Sequence, residues 1–367
     1  MNFKIKRTVL LNALSKVSKA VSLKSPLPVL TGIKFDLQDD QLVLTGSDSD
    51  ITIQTNIKED IEIIEKGAVV LSSRYILEII RKMDSEIVHI YIVDGTLTRI
   101  EGSGSKFDLN GTSYIDYPRI DLNKSGVHLE MKSSSLKEAI EQTSFATSEK
   151  ETRPVLTGVN FKAKNRILEC IATDSYRLAK RILPIESDVT FNIIIPKKSL
   201  IEISRIIEKD EIIDLYVSDR KVLFVLDIAI IQTRLIDGSY PDTSRLIPNE
   251  FDYSMSVDSV SLLNSIDRAS LLSNEQSNII KLTMDEDNVI ISSFSQEIGS
   301  VEENLSKAFY KGKPLHISFS AKYLNDAIKS IGSEKVKVLF TGEMRPFIIK
   351  DLEREDIIQL VLPVRTY

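Results

Sequence analysis

Pro28-Val29-Leu30-Thr31-Gly32-Ile33 recurs as Pro154-Val155-Leu156-Thr157-Gly158-Val159, an offset of 126 residues, and at the same offset Ser47-Asp48-Ser49 meets Thr173-Asp174-Ser175. Two separated matches at one offset mark an internal repeat, which sets the architecture before any single element is assigned. Upstream of each match, apolar residues fall three and four apart: Val9, Leu10, Ala13, Leu14 and Val17 in the first, and Leu136, Ala139, Ile140 and Thr143 in the second. That spacing predicts an amphipathic helix in front of each Pro-Val-Leu-Thr-Gly segment. A third copy follows, with Leu262, Ile266, Ala269 and Ser270 lying 126 residues beyond Leu136, Ile140, Thr143 and Ser144.

The second half of each copy repeats as well. Residues 69–76, 193–200 and 317–324 each read as a strand entering a helix, and at a constant offset of 124 they align Arg74, Lys198 and Lys322. Helix starts at Ser72, Pro196 and Ser320 echo those at Lys6, Lys132 and Asp258. Runs such as 86–93 and 212–217 mix β-branched and aromatic residues between turn signals, which favours antiparallel strands joined by hairpins. Three copies of about 122 residues account for nearly all 367. The expected fold is α+β: three repeated two-layer domains, each with two helices packed on antiparallel sheets. Boundaries in turn-like sequence divide it into residues 1–126, 127–250 and 251–367.

Composition narrows the function. At 42% hydrophobic and 27% charged the chain reads as an ordinary globular protein, and its apolar runs fall far short of a membrane span. The first residues enter a strand pattern with no apolar leader, which leads us to expect a cytoplasmic protein. One cysteine, Cys170, forms no internal disulfide. Three scattered histidines, His89, His128 and His316, show no metal-ligand spacing, so neither a metal nor a cofactor is expected. The net charge of −6 argues against a basic nucleic-acid coat, yet the charge is segregated. The six predicted helical segments carry +8 together and the rest of the chain −14. Helices sharing one side would attract phosphate there without reading sequence.

These residues carry a resemblance. The threefold repeat, Leu44-Thr45-Gly46-Ser47-Asp48-Ser49, Ala172-Thr173-Asp174-Ser175-Tyr176-Arg177-Leu178, Asp237-Gly238-Ser239-Tyr240-Pro241-Asp242 and the tail Leu362-Pro363-Val364-Arg365-Thr366-Tyr367 resemble the bacterial DNA polymerase III β subunit family, the replicative sliding clamps, over the whole chain. The resemblance implies the DNA clamp fold and a head-to-tail homodimer closed into a ring. Such a ring encircles duplex DNA without sequence specificity and tethers a replicative polymerase and other replication and repair proteins, raising processivity without chemistry of its own. It also implies a separate ATP-driven clamp loader, since Gly102-Ser103-Gly104-Ser105-Lys106 lacks phosphate-loop spacing.

Carried over by motif, a cleft for partners' short peptides, typically Gln-Leu followed by hydrophobic residues, falls on Leu156, Thr173, Ser175, Tyr176, Arg177, Leu178, Pro241, Arg245, Leu246, Met344, Leu362, Pro363, Val364 and Arg365. The leucines and valine suit apolar anchors, and the arginines suit carbonyls or a carboxylate. Ser175-Tyr176 stands where a Gly-His pair can occur in the family, and Tyr367 extends the tail. The dimer interface maps to Arg74, Phe107 and Leu109 of the first copy and to Leu271, Leu272, Glu302 and Glu303 of the third. DNA contacts map to Lys19, Lys24, Lys197, Lys198 and Lys322.

Two other readings compete. Asp48-Ser49-Asp50, Asp174 and the 353–356 acidic cluster could serve an enzyme, but Asp48 and Asp174 share a repeat position, which points to a turn or strand-end role used twice and to no catalysis. A non-catalytic repeat scaffold that binds proteins without encircling DNA would keep the fold and lose the ring.

Overall fold

The computed structural model describes residues 1–273 and 278–365; Tyr367 lies outside them. The first copy runs β1 (Asn2–Lys6), α1 (Arg7–Val17), β2 (Gly32–Leu37), β3 (Leu42–Ser47), β4 (Ile51–Ile57), β5 (Ile61–Glu65), β6 (Gly67–Ser72), α2 (Ser73–Lys82), β7 (Ile87–Asp94), β8 (Leu97–Gly102) and β9 (Ser105–Asn110). The second runs β10 (Val127–Lys132), α3 (Ser133–Thr143), β11 (Gly158–Lys164), β12 (Ile167–Thr173), β13 (Arg177–Pro184), β14 (Phe191–Pro196), α4 (Lys197–Ile206), β15 (Ile212–Val217), β16 (Lys221–Val225) and β17 (Ile230–Arg234). The third runs β18 (Tyr253–Asp258), α5 (Ser259–Ser270), β19 (Ile279–Met284), β20 (Val289–Ser295), β21 (Gly299–Asn304), β22 (Ala308–Lys311), β23 (Leu315–Ser320), α6 (Ala321–Ile331), β24 (Lys335–Phe340), β25 (Phe347–Asp351) and β26 (Ile357–Val361). Each helix follows directly on a strand, at the six starts read from the repeat.

The repeated Pro-Val-Leu-Thr-Gly segment has one physical form in both copies. Proline opens a 3-10 turn, where its missing N–H costs nothing. Leucine is buried. The threonine hydroxyl donates back to the proline carbonyl at 2.7 Å, from Thr31 to Pro28 and from Thr157 to Pro154. Glycine then enters the strand where a Cβ would meet Val70 Cγ1 at 2.5 Å in the first copy and the Ile195 carbonyl oxygen at 2.6 Å in the second.

The chain divides into two compact units, and neither coincides with a sequence copy. One comprises Met1–Ser134 and Lys198–Leu235. Its eight-stranded antiparallel sheet is ordered β10-β15-β16-β17-β4-β3-β2-β6, so strands of the first and second copies join through β17 and β4. A second sheet, β5-β1-β7-β8-β9, ends at β9. Helix α1 packs on α2 and across β3 and β4, burying Leu10, Ala13, Leu14 and Val17. The other unit comprises Ser135–Lys197 and Ile236–Tyr367. Its nine-stranded sheet, β14-β11-β12-β13-β26-β25-β24-β18-β22, joins the second and third copies through β13 and β26, and its four-stranded sheet, β21-β20-β19-β23, ends at β21. Helices α5 and α6 pack together over strands of both sheets, on a core that includes Phe319, Phe340 and Phe347.

Candidate peptide-binding cleft and interfaces

All fourteen residues assigned to the peptide cleft fall in the second of these units. The first group of these residues stands at the tight turn between β12 and β13. Asp174 Oδ1 accepts the backbone N–H groups of Tyr176 (2.9 Å) and Arg177 (3.0 Å), and Ser175 takes φ +77°. Asp48 Oδ1 accepts from Asp50 and Ile51 in the same way, with Ser49 at φ +83°. The acidic positions shared by two copies therefore cap turns, a local use of the Asp side chain. Gly102-Ser103-Gly104-Ser105 is likewise a hairpin turn, with positive φ at both central residues.

Beneath the turn, Leu178 packs with Ile171, Leu339, Ile348 and Leu360, and Tyr240, Ile247, Phe251, Ile358 and Leu362 pack against that cluster. Leu156 and Leu178 are only 3% and 2% exposed, so they form packed base rather than free surface. Leu362, Pro363 and Val364 are half-buried, whereas Leu246, Met344, Tyr176, Pro241, Arg245 and Arg365 are exposed. Met344 sits in the turn between β24 and β25, strands that contribute Leu339 and Ile348 to the cluster. The tail is held in place: Leu362 N–H donates to the Tyr176 carbonyl at 2.9 Å, and Val364 N–H to the Ser318 carbonyl at 2.7 Å.

Among the three arginines, Arg177 differs in kind. It is 8% exposed, and its guanidinium donates to Asp174 Oδ2 (3.0 Å), Asp326 Oδ2 (2.7 Å) and the Phe145 carbonyl (2.7 Å). It also lies over the rings of Tyr323 and Phe145, at 4.6 and 5.3 Å from their centroids. This is a satisfied buried cation that orders the turn, leaving Arg245 and Arg365 as the exposed arginines of the set. Sequence reasoning missed Phe145, Tyr323 and Asp326, which come from distant segments. It also missed Tyr240, whose hydroxyl oxygen accepts the Thr173 N–H at 2.9 Å and whose phenol is pushed well above its ordinary pKa by burial. A signal for Tyr240 did exist, because Tyr117-Pro118 stands one repeat earlier and Tyr117 donates to the Thr45 carbonyl.

The lysines assigned to DNA divide similarly. Lys24 and Lys322 are exposed. Lys198 pairs with Asp48 and Lys197 with Glu149. Lys19 Nζ donates to the Arg205 carbonyl at 3.0 Å, and burial holds its ammonium below the usual lysine pKa. Of the residues assigned to the dimer interface, Arg74, Phe107 and Leu271 are exposed, and Leu109 and Leu272 are half-buried. Phe107 and Leu109 lie on the edge strand β9, and Glu302 and Glu303 on the edge strand β21. Glu303 is already engaged by Arg268 (Nε to Oε2, 2.8 Å) and Ser265 (2.6 Å), which hold its carboxyl at about 2.

Three tandem α/β copies joined through shared antiparallel sheets define the DNA clamp class of fold. Family models agree: the DNA polymerase III beta subunit N-terminal domain matches residues 1–121, the central domain 130–242 and the C-terminal domain 244–365. The beta sliding clamp of Bacillus subtilis is 41% identical over 378 residues, covering all of both chains. The crystal structure of the Bacillus subtilis DNA polymerase sliding clamp matches at a TM-score of 0.96 and 40% identity, and that of the Streptococcus pyogenes beta subunit at 0.95 and 32%, each over the full length of both chains. The chain belongs to the DNA polymerase III beta subunit family, the beta sliding clamps.

Proposed function

We propose that two copies of this chain close head to tail into a ring around duplex DNA and act as the processivity clamp of the replicative polymerase. The observation that carries this reading is that, of the edge strands in the described sheets, β9 and β21 are those whose counterparts in the other copies are joined from one copy to the next. Within one chain, the strand at the β4 position of each copy joins the strand at the β17 position of the next: β4 to β17, then β13 to β26. The strand of the third copy at that position is β21, and its counterpart in the first copy is β9. A second copy of the chain supplies the missing partner in each direction, so the contact is heterologous and a dimer closes it.

The two internal junctions also fix a register. Ile53 faces Ile231 in one and Ala179 faces Gln359 in the other. Carried through the hairpin pairings, the equivalent intermolecular pair is Val301 with Phe107, and the next is Glu302 with Lys106. The first pair is apolar and the second joins opposite charges, which supports β21 and β9 as mutual partners. Lys106 is a residue that motif matching did not single out.

Tethering needs no bond to be made or broken, so the chain acts without catalysis, in the cytoplasm, as a ring that a separate clamp loader opens and closes around DNA. The domain limits 1–126, 127–250 and 251–367 describe its three repeats, and the exposed lysines Lys24 and Lys322 contact phosphate. Polymerase and other partners dock by a short peptide whose apolar side chains sit on Leu362, Val364 and Leu246, near Arg245 and Arg365. Fluorescence anisotropy of a labelled Gln-Leu-Ser-Leu-Phe peptide tests this. Micromolar, saturable binding, about −8 kcal/mol, should weaken on Arg245→Ala and vanish when residues 362–367 are removed from a chain that remains dimeric. Binding unchanged by either variant would place the docking site elsewhere.

A further inference from the structure

We propose that His128, Glu130 and Asp214 form a surface site for a divalent transition metal, with zinc the best fit. His128 and Glu130 stand two residues apart on β10 and so share a face, and Asp214 lies on β15, directly opposite Glu130 in the ladder. One donor atom from each side chain lies within 4.8 Å of the other two. His128 Nε2 is 2.6 Å from Asp214 Oδ1, and the imidazole stacks on Tyr216 at 4.7 Å between centroids and 17° between planes, which fixes its orientation. An imidazole nitrogen with two carboxylate oxygens is a zinc donor set, and the solvent-facing side leaves a position for water.

Two arguments separate this cluster from an ordinary charged surface. Glu130 and Asp214 are like charges placed directly across an antiparallel pair, an arrangement that destabilises a sheet unless a cation joins them. Lys132 stands next along the same face of β10, and Lys124 Nζ lies over the Tyr216 ring at 5.6 Å. The repeat supplies the second argument. The corresponding positions of the first copy hold Asn2, Lys4 and His89, where His89 bonds to Asn2 at 2.7 Å and Lys4 pairs with Glu62. Those of the third copy hold Ser254, Ser256 and Lys337. The fold therefore does not require acids here, and only the second copy gathers them around an imidazole. Spacing along the chain could not reveal the site, because its third donor arrives from a strand 84 residues beyond Glu130.

Calorimetric titration of the intact, chelator-treated protein with zinc chloride is the test, repeated on His128→Ala, Asp214→Asn and the control His316→Ala. The expected result is one zinc per chain, lost in His128→Ala, weakened at least ~10-fold in Asp214→Asn and unchanged in the control. Cobalt titration should add a visible absorption band that depends on the same residues. His128 and Glu130 are exposed and Asp214 is half-buried, so each variant should remain folded, as a cooperative melt without metal would show. Absence of binding, or binding that survives His128→Ala, would overturn the proposal.

Discussion

Removing the Arg177 guanidinium would leave Asp174 and Asp326 without their cation and the Phe145 carbonyl without its donor, in a site largely closed to water. Breaking a buried pair from one side costs about 3 kcal/mol. Arg177→Ala should therefore lower the unfolding free energy, read from denaturant titration, by that amount, whereas Arg245→Ala, at an exposed residue, should leave it unchanged; equal stability of the two variants would refute the distinction. Glu303 makes a second prediction at this scale. Its carboxyl is held at about 2 by Arg268 and Ser265, against about 4.3 in an unfolded chain. A depressed folded pKa gives stability that is present above the unfolded value and lost as pH falls towards the folded one. The advantage of the wild type over Glu303→Gln should thus hold at neutral pH and shrink between pH 4.5 and 2, as read by thermal melts. An advantage independent of pH would contradict it. The turn at Ser175 was legible in the sequence because Asp174 repeats Asp48. The ligation of Arg177 was not, because Asp326 lies 149 residues away on another element.

At the scale of elements, strands and helix starts follow from period and repeat, and all six starts stand where the repeat puts them. What periodicity could not convey was which strand neighbours which. Alternation identifies a strand's buried face but not its partner, so the sharing of sheets between copies through β4–β17 and β13–β26 emerges only in three dimensions. The proposed β9–β21 register extends that sharing to a second copy of the chain. Lys106→Glu should weaken dimerisation by about 30-fold, as expected when an exposed pair worth ~1 kcal/mol is lost from each of the two β9–β21 contacts of a head-to-tail dimer. Adding Glu302→Lys should restore it, with sedimentation equilibrium as the readout. No recovery in the double variant would mean that β21 and β9 meet in another register, or not at all.

For the whole molecule, the segregation of charge explains how an acidic protein can hold DNA. The helical segments are net positive while the rest is strongly negative, so phosphate is attracted to one class of surface and repelled by the other. Contacts of this kind are weak, shared and dissolved by salt, and three of the lysines proposed to make them are already committed within the protein, Lys19 to a carbonyl and Lys197 and Lys198 to carboxylates. Persistence on DNA must then come from topology rather than affinity. The direct measurement is to place the protein on a nicked circular plasmid with its clamp loader, gel-filter the complex in 0.5 M salt, which leaves a Debye length of only about 4 Å, and then cut the circle once. A ring should elute with the intact circle despite the salt and be lost on linearisation. Release from the intact circle, or retention on the cut DNA, would contradict the account.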